Sequence, residues 1–270
     1  MKHLSEFKTV DGGIEMRGPE LLKSKAKAST FHILISMLIA ACVGFAVFFI
    51  WYPSPFGFAS GGLNLFLLVT AVDLVLGPAL TFVAFNPLKR RSLLILDFSV
   101  IGILQVMALV YGVHAVFVAR PVIVAYEGSR LRVVTAAELS DKDLKEAKGS
   151  LAELSISGPK MIGTRIVTAA EQFDAIQFAM QGKDIGTRPA FWVEFPEVKE
   201  RLKKDLKPMS LLLKRYPESV QLVDGVLHSK QLRREQVGFL PVLSKQGIFT
   251  ALFSLDTGDF VAYLMLDGSL

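Results

Sequence analysis

The stretch Thr70–Phe82, TAVDLVLGPALTF, sets a carboxyl group, Asp73, and the pair Gly77-Pro78 inside an otherwise unbroken apolar run. An acid there has one meaning in a soluble core and another in a bilayer. Composition points to the bilayer: the 270 residues are 51% hydrophobic, with a mean hydropathy of +0.45, more apolar than an ordinary soluble domain. Three windows, Phe31–Tyr52, Gly62–Phe85 and Ser92–Ala119, each exceed the roughly 20 apolar residues that cross a hydrocarbon core of about 30 Å. The first holds no charged residue, and the other two hold one acid each, Asp73 and Asp97. A removable signal peptide is a poor reading of the first window. It follows a long polar tail, its apolar part exceeds the roughly 7–15 residues of such peptides, and no small-residue cleavage pattern follows it.

Basic residues set the expected orientation. Lys2, Lys8, Arg17, Lys23, Lys25 and Lys27 precede the first window, the first link (PSPFGFASG) has none, and the second carries Lys89, Arg90 and Arg91. The amino terminus and second link are therefore expected in the cytoplasm, and three crossings place everything after Arg120 outside it. Trp51 and Tyr52 fall where interfacial aromatics are favoured, and Pro53 ends the helix. Residues 1–30 then read as a cytoplasmic tail, 31–119 as a transmembrane domain and 120–270 as a periplasmic domain.

The pI near 9.2 does not imply a nucleic-acid partner. From Arg120 onward 21 basic residues face 19 acidic ones, so the excess charge lies in the segments assigned to the cytoplasm and reports topology. The single cysteine, Cys42, sits in the first window, so the exported domain must hold its fold by packing without a disulfide.

Beyond Arg120 the pattern mixes strands and helices without a βαβ rhythm, which predicts an α+β domain. A hairpin is expected around Glu127-Gly128-Ser129-Arg130 and a short helix in DKDLKEAKGSL. A strand at Arg165–Val167 should lead into a helix whose apolar face includes Phe173, Ile176 and Phe178, ending near Gly182. A strand is expected in AFWVEF between Pro189 and Pro196, and two short helices in Lys199–Tyr216, broken at Pro208. A closing hairpin turns at Asp256-Thr257-Gly258-Asp259. No internal repeat and no low-complexity segment interrupts the chain.

Catalytic patterns are lacking. His3, His32, His114 and His228 have no metal-ligand spacing, and neither a phosphate loop nor a nucleophile elbow occurs. Ser24–Lys27 and Ser157–Lys160 match Ser-x-x-Lys, but the first lies in a tail and the second contains Gly158-Pro159, which disfavours the helix it needs. No enzyme activity, cofactor or metal is expected.

Asp73 lies on the order of 15–20 Å from either end of its window at about 1.5 Å per residue. Ionised there it would cost roughly 2.5–3.5 kcal/mol on insertion scales, so it should be protonated or hydrogen-bonded inside the bundle. Asp73, Gly77 and Thr81 repeat at i, i+4, i+8 as a small, polar stripe with Thr70 nearby. Pro78 deprives the Leu74 carbonyl of its usual donor and predicts a kink. Gln105 on the third helix reaches a similar depth, and Asp97 is placed near the basic link. Ala40 and Gly44 make a small-xxx-small step on the first helix. Three readings stay open: Asp73 braces the bundle through Gln105, the stripe receives a helix from another protein, or protons or ions move along it. Small-residue faces also permit a homo-oligomer.

The runs FFIWYPSPF, VDLVLGPALTFVAFNP and LDFSVIGILQVMALVYGVHAVFVARPV resemble the membrane half of type IV pilin accessory proteins of the TfpX/TfpZ type, over about Phe31–Tyr126. The combination carries the likeness: Trp-Tyr-Pro after the first helix, Asp-x-x-x-Gly-Pro in the second, then Asp, Gln, Tyr-Gly and a closing Arg-Pro in the third. The resemblance implies an inner-membrane protein of Gram-negative bacteria that stabilises or helps to assemble its cognate pilin. The expected partners are the bilayer and that pilin, through its amino-terminal helix, its globular head or both. The basic, aromatic-flanked region with Trp192, Lys203, Lys204, Lys207 and Tyr216 is the expected head contact. A membrane sensor with a ligand-binding exported domain and a pilin-modifying enzyme are the rival readings.

Overall fold

The structure is a computed structural model and describes residues 7–10, 13–16 and 18–269. Lys2 and Arg17, counted above for orientation, lie outside the described residues. The chain divides into two compact units, one of residues 1–46 and 64–116, the other of residues 47–63 and 117–270.

In the first unit, strands β1 (Phe7–Val10) and β2 (Gly13–Met16) pair antiparallel. Helix α1 (Gly18–Phe45) starts well before the apolar run, because GPELLKSKAKAS holds good helix formers behind Pro19 at the first turn. From Ala46 to Trp51 the helix continues in widened turns. A four-residue helix, α2 (Phe56–Ala59), occupies the first link. Helix α3 (Gly62–Ala84) carries Pro78 inside it, and helix α4 (Arg91–Val118) follows. All three long helices, with α1 extended to Trp51, are long and apolar enough to cross a membrane. Most of their large side chains, such as Leu38, Val83 and Val110, are exposed, as lipid-facing residues must be. The protein is a multi-pass membrane protein.

The second unit is the α+β domain the pattern predicts. Its strands are β3 (Pro121–Tyr126), β4 (Leu131–Thr135), β5 (Lys160–Thr164), β6 (Trp192–Glu194), β7 (Lys207–Pro208), β8 (Val237–Ser244), β9 (Gly247–Ser254) and β10 (Phe260–Leu264). They form one mixed sheet in the order β10-β9-β8-β4-β3-β5-β6, with β7 also on β8. The β3–β4 hairpin turns where expected, Glu127 N donating to Arg130 O at 3.0 Å, and β5 runs parallel to β3. Helices α5 (Asp141–Leu144), α6 (Gln172–Met180), α7 (Lys199–Asp205), α8 (Met209–Arg215) and α9 (Val220–Ser229) complete the domain.

Both faces of the sheet are covered. On β3, Val124 and Tyr126 enter one core, while Ile123 and Ala125 enter another with Leu151 and Trp192. Phe239 and Leu252 face a third core built with α8 and α9. Strands buried on both faces read as continuous apolar runs, and β3 is buried throughout.

The first link completes this domain. Phe56 and Ala59 are buried in the core with Leu240, Phe249 and Phe253. The Phe56 ring meets those of Phe249 and Tyr263 edge-on, with centroids 6.1 and 5.3 Å apart. The Ala59 carbonyl accepts from Gln246 N at 3.1 Å and from Ser244 Oγ at 2.7 Å. The link and the domain therefore lie on the same side of the membrane, as three crossings require.

One local expectation needs correction. The strand before α6 is Lys160–Thr164 rather than Arg165–Val167, set by pairing with β3. Helix α6 forms as expected, and its apolar face is exposed, Phe173 at 76% and Met180 at 85% with Ile176 beside them. Strand β8, whose VGFLPV is buried, forms a further hairpin with β9.

Candidate functional site

Where α1, α3 and α4 meet, glycines allow close approach at Gly44, Gly77 and Gly112. A Cβ on Gly44 would lie 3.0 Å from Phe66 Cζ, and one on Gly112 would lie 2.4 Å from Val69 Cγ1. A Cβ on Gly77 would lie only 1.8 Å from Gln105 Nε2 and 3.1 Å from His32 Nε2. In a bilayer such close backbone approach supplies dispersion and room for polar contacts, in place of a hydrophobic drive.

The polar stripe on α3 is filled largely by this chain's own side chains. Thr81 is 1% exposed and shares a 2.6 Å hydrogen bond with His32 Nδ1. Ser29 Oγ donates to the Pro78 carbonyl at 3.0 Å. Gln105 presses on Gly77. Lys89 Nζ meets Asp97 Oδ2 at 2.7 Å and donates to the Ala84 carbonyl at 3.0 Å, so it closes the end of α3 and fixes the start of α4. Arg90 and Arg91 stay exposed.

Asp73 is the exception. It is half-buried, and its carboxyl makes no hydrogen bond to Gln105 or to any other described residue, so the brace through Gln105 is not formed. It lines a cavity of about 140 Å³ between the three helices, together with His32, Ser36, Thr70, Gln105 and Val106. At about 30 Å³ per water, the space takes a few waters or one inserted side chain. His32 is the member that sequence reasoning missed as a site residue: its imidazole stands one residue inside the first apolar window, and that placement was the available signal.

In the second unit, Tyr52 is buried and sits against Gly62, where a Cβ would lie 2.5 Å from its ring. Trp51 meets Phe117 edge-on at 5.0 Å. Pro53 abuts Gly158. The expected head-contact residues do not form one surface. Trp192 is buried, with Nε1 donating to Gly186 O at 2.9 Å. Lys203 pairs with Glu200 at 2.7 Å and donates to Asp256 O at 3.1 Å. Tyr216 packs on the core beneath α8 and α9. Lys207 lies in β7, and of the five only Lys204 is exposed.

The hairpin tip instead anchors the excursion that carries α6. Glu127 accepts from Arg130 at 2.9 Å and from Gly186 N at 2.8 Å. Burial pushes the Glu127 carboxyl above its ordinary range, against the pull of Arg130. Asp184 bridges Arg130, at 2.9 Å, and Arg132. Burial likewise raises the Tyr126 phenol, which donates to the Asp205 carboxylate. Among the described residues, no group of three or more His, Cys, Asp or Glu could hold a metal ion.

The chain is 33% identical over 225 residues to the fimbrial assembly protein of serogroup I from Dichelobacter nodosus, covering 83% of this chain and 88% of that one. It belongs to the fimbrial assembly protein family. The serogroup E1 member from the same organism is 32% identical over the same shares of the two chains. The member from serogroups C1 and C2 is 38% identical over 122 residues, 45% of this chain and 93% of that one. The family model of the fimbrial assembly protein FimB matches residues 20–61, which in this family member covers α1 and the link that enters the domain core. No solved structure matches. The resemblance to type IV pilin accessory proteins thus holds at the level of family.

Proposed function

We propose that this protein is an inner-membrane assembly factor for a cognate type IV pilin and holds the pilin's apolar amino-terminal helix against the α1–α3–α4 cavity. The observation that carries the reading is Asp73, an intramembrane acid with no hydrogen-bond partner among the described residues, facing open space beside His32 and Gln105. Such a group is costly in lipid and marks a functional contact by default. The relatives' name, fimbrial assembly protein, supplies the process. The amino terminus lies in the cytoplasm and the α+β domain in the periplasm, as Lys23, Lys25, Lys27, Lys89, Arg90 and Arg91 direct.

On the periplasmic domain the pilin head meets α6. Phe173, Ile176 and Met180 repeat at i, i+3, i+7, the pattern of a helix that enters a partner's groove. The bilayer suits this face poorly. Residues 172–180 contain no lysine or arginine, which membrane-surface helices use. The segment is also tied through Asp184 and Gly186 to the hairpin tip, at the end of β3 away from α4.

The test replaces Asp73 by Asn and by Leu in cells carrying the pilin, following pilin level and surface pili. Leu should leave this protein accumulated while both readouts fall, and Asn should keep part of the function. Unchanged pili with the Leu variant present at normal level would remove Asp73 from the mechanism.

A further inference from the structure

The second unit contains the ends of the membrane helices as well as the domain, so the membrane boundary can be located on it. Trp51 and Phe117 close two of the spans and meet edge-on. Just beyond them, two contacts hold the loop 155–158. Arg120 stacks on the Phe117 ring at 3.7 Å, donates to the Phe117 carbonyl at 2.8 Å, and reaches the Ser155 carbonyl from Nε at 3.4 Å. Pro53 lies against Gly158, whose φ of +70° and lack of a Cβ allow the approach. Between these two fastenings Ile156 points outward, 64% exposed.

A second apolar side chain stands at the same boundary. Helix α2 buries Phe56 and Ala59 in the domain and lies against the end of α1, where a Cβ on Gly57 would sit 3.2 Å from Phe48 Cδ1. Phe58, from the same short helix, is 70% exposed, and α3 enters the membrane from Gly62. The polar headgroup layer is about 5–7 Å deep on each side of the hydrocarbon. Two or three residues of chain span at most about 7–10 Å. Pro53 and Arg120, two and three residues beyond Trp51 and Phe117, therefore lie at about the depth of the layer, with the loop that they hold beside them and Phe58 four residues before the start of α3.

We infer that Phe58 and Ile156 form a lipid-binding foot of the α+β domain, inserted at the headgroup–acyl boundary of the leaflet on the domain's side. The foot adds a lipid contact to the helix ends and the first link, and so fixes the domain's tilt on the membrane. It does not depend on the pilin reading.

The test uses the full chain with Cys42→Ser, a single cysteine at position 58, 156 or 129 bearing an environment-sensitive fluorophore, and phosphatidylethanolamine–phosphatidylglycerol nanodiscs. The discs carry spin-labelled lipid, with the label on the headgroup or deep in the acyl chain. The expected result is blue-shifted emission at 58 and 156, lost to the headgroup label more than to the deep one, with Ser129→Cys at the hairpin tip unaffected. Water-like, unquenched emission at 58 and 156 would overturn the inference. So would blue-shifted emission that no lipid label quenches, since a protein surface would then cover them.

Discussion

Replacing Phe56 by Ala measures how far the first link is part of the α+β domain. The ring is buried among Leu240, Phe249, Phe253 and Tyr263 and makes two edge-on aromatic contacts. A buried Phe→Ala change typically costs about 3–5 kcal/mol, as transfer energy plus the cavity left behind, and the ring pairs belong to that figure. For a domain of about 150–250 residues each kcal/mol shifts Tm by roughly 2–4 °C. Thermal unfolding of the detergent-solubilised Trp51→Phe protein, followed by the fluorescence of buried Trp192, should therefore drop by about 6–20 °C. Phe58→Ala, two residues on and exposed, should stay within about 0.5 kcal/mol of the parent. If Phe56→Ala moved the transition no further than Phe58→Ala, the link would not be packed in the domain.

The His32–Thr81 contact should appear as coupling of about 0.6–1.7 kcal/mol in a double-mutant cycle of bundle unfolding with His32→Ala and Thr81→Ala; additive effects would mean the bond is not made. A hydrogen bond from Arg165 holds the Glu171 carboxyl below its ordinary value of 4.5. Its contribution to stability is therefore complete above that value and lost as pH falls through the folded-state pKa. Glu171→Gln should flatten the acid limb of the domain's stability curve, by an amount that shrinks in salt because the pair is exposed. Buried Glu127 has the opposite sign: its contribution is present at low pH and fades as pH rises through its raised pKa, so Glu127→Gln should lessen the loss of stability toward neutral pH. Phe173→Asp with Met180→Asp should leave the unfolding transition in place while lowering surface pili; unaltered pili would remove α6 from the head contact.

The membrane helices were legible because their apolar length is a local property that no tertiary contact has to confirm. The hairpins at Glu127 and Asp256 were legible for the same reason, each carrying its own turn chemistry. Strand β8 was not. Pro241 interrupts its apolar run, and Pro normally argues against a central strand. Here β7 covers Phe239 and Gly238 on one edge of β8 and β4 covers Val242 and Leu243, while Pro241 falls between those two partners. Neither the entry of Phe56 into the domain nor the burial of Trp192 could be read locally, since both depend on core partners distant in the sequence. Within the bundle, spacing alone aligned Asp73, Gly77 and Thr81. Which of them would be satisfied by neighbours depended on His32 and Gln105 from the other helices, and that separated Asp73 from the rest.

The central claim, that the pilin helix is held against the cavity beside Asp73, is tested most directly by a photoreactive residue at Val106, which is exposed and lines that cavity. Gly77 would be a poor site, because any side chain there strikes Gln105. Illumination of cells that express the pilin should give a pilin adduct from position 106 and none from lipid-facing Val83, and Asp73→Leu should abolish the adduct. Crosslinks from 106 only to lipid or within this protein, with pilin present at normal level, would contradict the account.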